Sequence, residues 1–301
     1  MLLASLLAAL ALAAPTSEAA VARSLSTGAP AGGERAVRAT LPLLGAPYAP
    51  SPLGEGSGRD PDPRFRLDAF DCMTLVETAV ALGSASTLAE ARAALDDIRY
   101  SGRPSWAARN HEVLSQWIPS NLAKGWIAPA TPAPPGGGLP MIAAKEYTPA
   151  SWDVVRAAGR AIPGLPRARL PLGRFEAAIV LPSDVSAVAG TLPQGAVVFV
   201  VREDAPERAT RVTHAGLVVR GRGGTVLVRH ATSTKGVERV IEEPIERFLR
   251  RQERAYPRWP LAGLSFFAIR DATARVRTLP RVPPSPSEAG EAPAASRAER
   301  L

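Results

Sequence analysis

Residues 212–230 read VTHAGLVVRGRGGTVLVRH: two apolar, β-branched runs on either side of Gly221-Arg222-Gly223-Gly224. Such runs around a glycine-rich break predict a hairpin. A three-residue turn at 221–223 would pair residue 220 with 224 and, by extension, His214 with His230. Directly opposed residues have Cβ atoms ~5 Å apart, so two imidazoles would be within hydrogen-bonding reach. Gly216, two residues after His214, either leaves room on that face or marks a bulge.

Further strands are expected at 196–201 and 264–270, with a small helix over 240–252. Upstream the pattern is helical. FDCMTLVETAVALG at 70–83 spaces Cys72, Leu75, Val76, Ala79 and Val80 on one face, with Asp68 or Asp71 as cap. TLAEARAALDDI at 87–98 begins with Thr87 and carries Glu90 three residues later, a capping pattern. A third helix is expected over 107–123 and a short one over 152–161. Helices first and strands later predict an α+β domain, N-terminal helices packed on an antiparallel sheet.

The 301 residues are 46% hydrophobic and 21% charged, with 30 prolines and 25 glycines, which excludes a long coiled coil or a wholly disordered chain. Aromatic residues make up 5%, too few for a base-stacking platform, and no nucleic-acid partner is expected. The net charge is +8, and every basic residue except Lys124, Lys145 and Lys235 is an arginine. Their even spacing predicts no dedicated patch, only a diffuse positive field suited to an anionic polymer or surface.

Residues 1–14, MLLASLLAALALAA, are apolar but shorter than the ~20 residues a membrane span needs. With Ala20-Val21-Ala22 behind them they read as a signal peptide over 1–22, which predicts an exported, periplasmic or extracellular protein without a span after processing. Residues 23–64 read as a spacer or loosely packed arm, 65–270 as the domain with a Pro/Gly-rich break at 128–140, and 280–301 as a disordered tail.

Cys72 is the single cysteine, so neither an internal disulfide nor a multi-cysteine zinc site can form. At the first turn of a helix it is expected to favour the thiolate. With His214 as base and His230 orienting it, the three residues have the composition of a nucleophilic relay that needs no metal or cofactor. Arg109 is a candidate clamp for a carboxylate, and Asp71 a helix cap. His111 is open between catalysis, substrate contact and packing. Glu77 is expected on a solvated face.

Five segments in order carry a resemblance: Phe70-Asp71-Cys72-Met73-Thr74-Leu75-Val76-Glu77, Ile98-Arg99-Tyr100, Arg109-Asn110-His111, Thr213-His214-Ala215-Gly216 and His230-Ala231-Thr232-Ser233. Over roughly residues 65–270 the chain resembles the bacterial N-acetylmuramoyl-L-alanine amidase-like family within the NlpC-type papain-like cell-wall hydrolases. The resemblance implies a papain-like fold and hydrolysis of a peptidoglycan amide through a thioester on Cys72, with His214 as base and His230 as third member. It also implies that Arg109, Asn110 and His111 bind substrate. Thr232 stands where the family pattern has serine, and Glu112 where it favours an aromatic residue. The alternative reading is a non-catalytic wall-binding module on the same scaffold; transfer to an amine in place of water would share the acyl-enzyme.

Overall fold

Alternation along one strand, Val197–Arg202 (β4), divides the interior. Val197, Phe199 and Val201 join one apolar cluster, Val198 and Val200 another, and all five are fully buried. A strand buried on both faces must lie inside a sheet that is covered on both sides. The computed structural model, which describes residues 18–281, shows that sheet: six antiparallel strands in the order β1-β8-β4-β5-β6-β7. The strands are Ile127–Pro129 (β1), β4, Val212–Arg220 (β5), Val226–Thr232 (β6), Arg239–Pro244 (β7) and Leu261–Ile269 (β8). Met141–Tyr147 (β2) and Gly173–Ile179 (β3) form a separate hairpin.

One face carries helices from the N-terminal half: Glu18–Leu25 (α1), Gly33–Ala39 (α2), Cys72–Ser84 (α3) and Leu88–Arg99 (α4). α3 is buried from Thr74 to Ser84, so the sheet is a partner it requires. Ile118–Ala123 (α5) follows, Pro149–Ala157 (α6) lies between β2 and β3, and Val185–Val188 (α7) precedes β4. Ile245–Ala255 (α8) covers the opposite face, where Ile245, Phe248 and Leu249 join Val198, Val218 and Val228. Thr273–Val276 (α9) completes the set. The expected α+β class therefore holds.

Four expectations need correction. The third helix does not run through 107–123. It breaks into a short turn at Trp106–Ala108, an extended stretch at Arg109, a π-helical turn at Val113–Trp117 and then α5. The break occurs where Arg109 turns inward to Glu55 and Asp60, and its backbone bridges Tyr100. The expected helix at 240–252 is β7 followed by α8. The hairpin loop has five residues, closed by Gly221 N–H donating to Thr225 O at 2.8 Å, with Gly223 and Gly224 at φ 66° and 79°.

The fourth correction concerns residues 23–64, which are not a loose arm. Ala36, Ala39 and Leu43 are fully buried in the main core. Gly45 N–H donates to Val240 O, Val240 N–H to Ala46 O, and Tyr48 N–H to Glu238 O, so residues 45–48 line the open edge of β7. The same segment reaches the start of α3: Phe70 N–H donates to Pro47 O and Ala49 N–H to Phe70 O. Residues 1–17 of the expected signal peptide and 282–301 of the expected tail lie outside the described residues. Glu18–Ala22 are the first residues of α1, whose Val21 is buried. Among the described residues no helix is long and apolar enough to cross a membrane.

Two glycines allow α2 to meet the strand layer backbone to backbone. A Cβ on Gly33 would stand 2.1 Å from Gln194 O, and one on Gly195, at φ 72°, would stand 2.2 Å from Gly33 O. Gly33→Ala is expected to lower stability by about 1–3 kcal/mol through overpacking. An unchanged midpoint in urea unfolding would mean that residues 23–64 are not docked.

Candidate active site

Asp71 makes the start of α3. Its carboxylate accepts from Thr74 N–H at 2.7 Å, and Thr74 Oγ1 accepts from Asp71 N–H at 2.9 Å, a reciprocal capping box. Ser51 N–H donates to the other carboxylate oxygen at 3.2 Å, so the cap also holds the N-terminal segment. With Thr74 N–H occupied, the amides of Cys72 and Met73 face the Cys72 sulfur, as does the amide of Ala215 on β5. Cys72 is thereby set against the residue that follows His214. It is half-buried. The expected low thiol pKa is not what this environment produces. Burial, then the Asp71 charge, push the thiol up to about 12, and the three amides pull the other way without prevailing.

The histidines meet, but not directly opposite each other. Leu217 pairs with Arg229 and Arg220 with Val226, a register two residues away from the expected one. An even shift keeps every side chain on its face. Continued, it sets Gly216 opposite His230 and makes the two histidines diagonal neighbours. A Cβ on Gly216 would lie 3.2 Å from His230 Cβ and 2.7 Å from Val228 Cγ1, so the absent side chain makes room for the packing around His230. His214 Nε2 and His230 Nδ1 are 2.8 Å apart.

The line continues to a residue that the sequence reading did not single out. His230 Nε2 lies 3.0 Å from Oε1 of Glu243 on β7. β7 pairs His230 with Ile241 and Val228 with Glu243, so this step is diagonal too. Arg251 of α8 forks onto Glu243 at 2.8 and 2.9 Å, and Arg247 reaches it at 3.3 Å. Burial alone would raise the Glu243 pKa, but hydrogen bonds from His230 and Arg251 take it down to about 2. As a carboxylate it can only accept, so His230 Nε2 carries a proton and His230 Nδ1 is an acceptor. His214 Nε2 then donates, and its Nδ1 keeps a free lone pair. The chain Glu243–His230–His214 thus sets the tautomer of the last imidazole.

Burial, followed by the neighbouring His230, holds His214 well below the ordinary imidazole pKa; burial also lowers His230, against the pull of Glu243. Phe248 packs on both rings, with centroids 5.8 and 5.0 Å away. In the resting state the thiol and both imidazoles are therefore neutral. Among the described residues no hydrogen bond joins the sulfur to either ring; the sulfur meets the backbone at Ala215. Cys72 packs with the α3-side core and the imidazoles with Phe248 of α8. Tyr48 faces Cys72, Asp71 and Ser233; burial, then Cys72 and Asp71, raise its pKa against the pull of a hydrogen bond with Ser233.

Arg109, Asn110 and His111 make no contact with these three residues. Arg109 is held by Glu55 at 2.6 Å and Asp60 at 2.7 Å. Asn110 Nδ2 donates to Ile98 O at 3.2 Å, and His111 Nε2 lies 2.7 Å from Trp106 O with the two rings packed together. All three knit the 99–111 turn to the rest of the fold. Glu77 is not solvated: it is buried, paired with Arg99 and bonded by Trp117 Nε1–H at 3.1 Å. Among the described residues no cluster of His, Cys, Asp or Glu could hold a metal ion.

Residues 38–255 match the family model described as AmiA-like, N-acetylmuramoyl-L-alanine amidase-like. Among solved structures, a protein from Legionella pneumophila is similar with a TM-score of 0.69 at 18% identity, covering 88% of this chain and 95% of the other. An N-acetylmuramoyl-L-alanine amidase from Bacteroides uniformis is similar with a TM-score of 0.57 at 17% identity, covering 83% and 99%. A second structure of an amidase from that organism gives 0.56 at 18% identity, covering 79% and 98%. At such identities the likeness is one of fold. No curated protein matches the chain.

A thiol held neutral alkylates slowly. Iodoacetamide is expected to modify Cys72 more slowly than free cysteine at about pH 7.5, with a rate still climbing at about pH 10. A rate that levels off below about pH 8 would instead mark a stabilised thiolate.

Proposed function

Since the chain belongs to the AmiA-like, N-acetylmuramoyl-L-alanine amidase-like family, we propose that it is an exported cysteine amidase or endopeptidase of papain-like architecture that hydrolyses an amide bond of peptidoglycan. The observation that carries this reading is the line of hydrogen bonds from Glu243 through His230 to His214, whose neighbour in the chain, Ala215, turns its amide to the Cys72 sulfur.

The steps follow from the proton inventory. Cys72 Sγ attacks the carbonyl carbon while its proton passes to the free Nδ1 of His214. The oxyanion accepts from the amides of Cys72 and Met73, which the helix leaves without backbone partners. His214 returns the proton to the leaving amine, and a thioester remains on Cys72. Water then attacks the thioester, giving one proton to His214, which passes it to the departing sulfur. His230 and Glu243 never change partners; they keep the ring of His214 oriented and stabilise its transient positive charge. Moving a proton from the thiol to the imidazole creates two charges, and Glu243 supplies a fixed negative charge that favours the positive one.

The positive net charge suits an anionic wall polymer. With purified muropeptides and products followed by mass, Cys72→Ala and His214→Ala are each expected to reduce cleavage by about 10³-fold or more. Glu243→Gln, which can donate where the carboxylate only accepts, is expected to reduce it by about 10-fold or more while the chain still binds substrate. Full cleavage by Cys72→Ala would remove the nucleophile from the proposal; wall binding without cleavage in the wild type would favour a binding module.

The pH profile has a definite sign. The base must be neutral, and its pKa lies well below 6.5, so kcat/KM is expected to rise with pH on an acid limb below 6.5. It then stays level to about pH 9, because the thiol does not ionise before about 12. A fall beginning near pH 8 would point to a thiolate–imidazolium pair instead.

A further inference from the structure

The arginines that look evenly spread in the sequence are gathered by α8. Arg247, Arg250, Arg251 and Arg254 recur at the 3, 4 and 7 spacing of one helix face. With Thr234 and Ala255 they line an open groove of about 590 Å³. Arg251 is committed to Glu243, and its Nη1 also donates to Thr234 Oγ1 at 3.1 Å. Arg247 touches Glu243 but leaves two-thirds of its side chain exposed. Arg250 and Arg254 are exposed and have no ion pair among the described residues, although Glu246 and Glu253 lie on the same helix. Like charges at these spacings cost a helix stability, and an anion in the groove would relieve that cost.

The groove adjoins the carboxylate end of the relay. Arg251 belongs to both, since the guanidinium that fixes Glu243 also forms part of the lining. Thr234 adjoins Ser233, which faces Tyr48 and through it Cys72. An extended peptide whose carbonyl lay at Cys72 could thus place an acidic end on α8. Guanidinium forks match a carboxylate in two parallel hydrogen bonds. We infer that the α8 groove is a subsite that takes the carboxylate-bearing end of the peptide to be cut. This rests on the reading of the protein as a hydrolase of wall peptides. It assigns to Arg250 and Arg254 the clamp that the sequence suggested for Arg109, whose own guanidinium is already neutralised.

The test measures binding apart from chemistry. The full chain carrying Cys72→Ser is titrated by calorimetry with a muramoyl tetrapeptide and with the same peptide amidated at every carboxylate. The free acid is expected to bind about 10-fold or more tightly than the amide. Arg250→Gln with Arg254→Gln is expected to abolish that preference at an unchanged melting temperature; if the pair unfolds the chain, Arg254→Gln alone is expected to reduce it. Equal binding of the two peptides, or a preference that survives in the folded variants, overturns the inference. So does displacement of the peptide by inorganic phosphate but not by chloride at equal ionic strength, which would assign the groove to phosphate. Wild-type protein is assayed on both peptides in parallel. Cleavage of both without a difference in binding overturns the subsite and leaves the hydrolase standing; a binding preference without any cleavage overturns the hydrolase reading and, with it, the role of the groove as a substrate subsite.

Discussion

A buried carboxylate that can only accept is the constraint on which the site depends. Glu243 is held ionised by Arg251 and His230, and its charge dictates where each proton on two imidazoles must sit. Take that charge away and His230 could face His214 with Nδ1 protonated or bare, and the free lone pair of His214 would no longer be assured. The sheet makes this possible by geometry alone. β5, β6 and β7 are neighbours, and each step of the relay moves one strand over and two residues along. Diagonal neighbours on a sheet face are ~7–8 Å apart, a gap that an imidazole or a glutamate side chain can bridge.

A second constraint sets the sulfur against the strand that carries His214. α3 is buried along nearly its whole length, so its position is set by packing, and its capped first turn comes to rest at Ala215. Residues 45–49 fasten the same turn from outside, bonded on one side to Phe70 and on the other to β7. The two halves of the proposed chemistry are thus joined twice, once through the core and once along the edge of the sheet. The neutral state of both partners follows from the same packing: the burial that fixes their positions makes charge separation in the resting protein costly.

Much of this was legible in the chain, for physical reasons that differ by element. α3 and α4 were readable because apolar period and capping residues coincide at Asp71 and Thr87. β5 and β6 were readable from β-branched runs around glycine. The register was not, because the loop holds five residues, with Gly223 and Gly224 both at positive φ, and nothing local chooses between three and five. The face of each histidine survived because the error was even. β7 was hidden by Glu242-Glu243 and the charged run of α8, which look helical together; its buried residues, Val240 and Glu243, stand three apart and do not alternate. Glu243 went unnoticed with it. Sequence spacing could not reveal that Glu55 and Asp60 fold back upon Arg109.

The strap of residues 45–49 has one further consequence. β7 would otherwise present a row of unpaired amides and carbonyls, an invitation to another chain. Its cover is made by a segment translated well before β7 itself, so a nascent or partly refolded molecule must hold that segment in reserve until the last strands arrive. A chain that has not yet seated it exposes that edge and leaves the thiol turn and the carboxylate strand unlatched. Burial of the adhesive edge and assembly of the candidate site are then one and the same event.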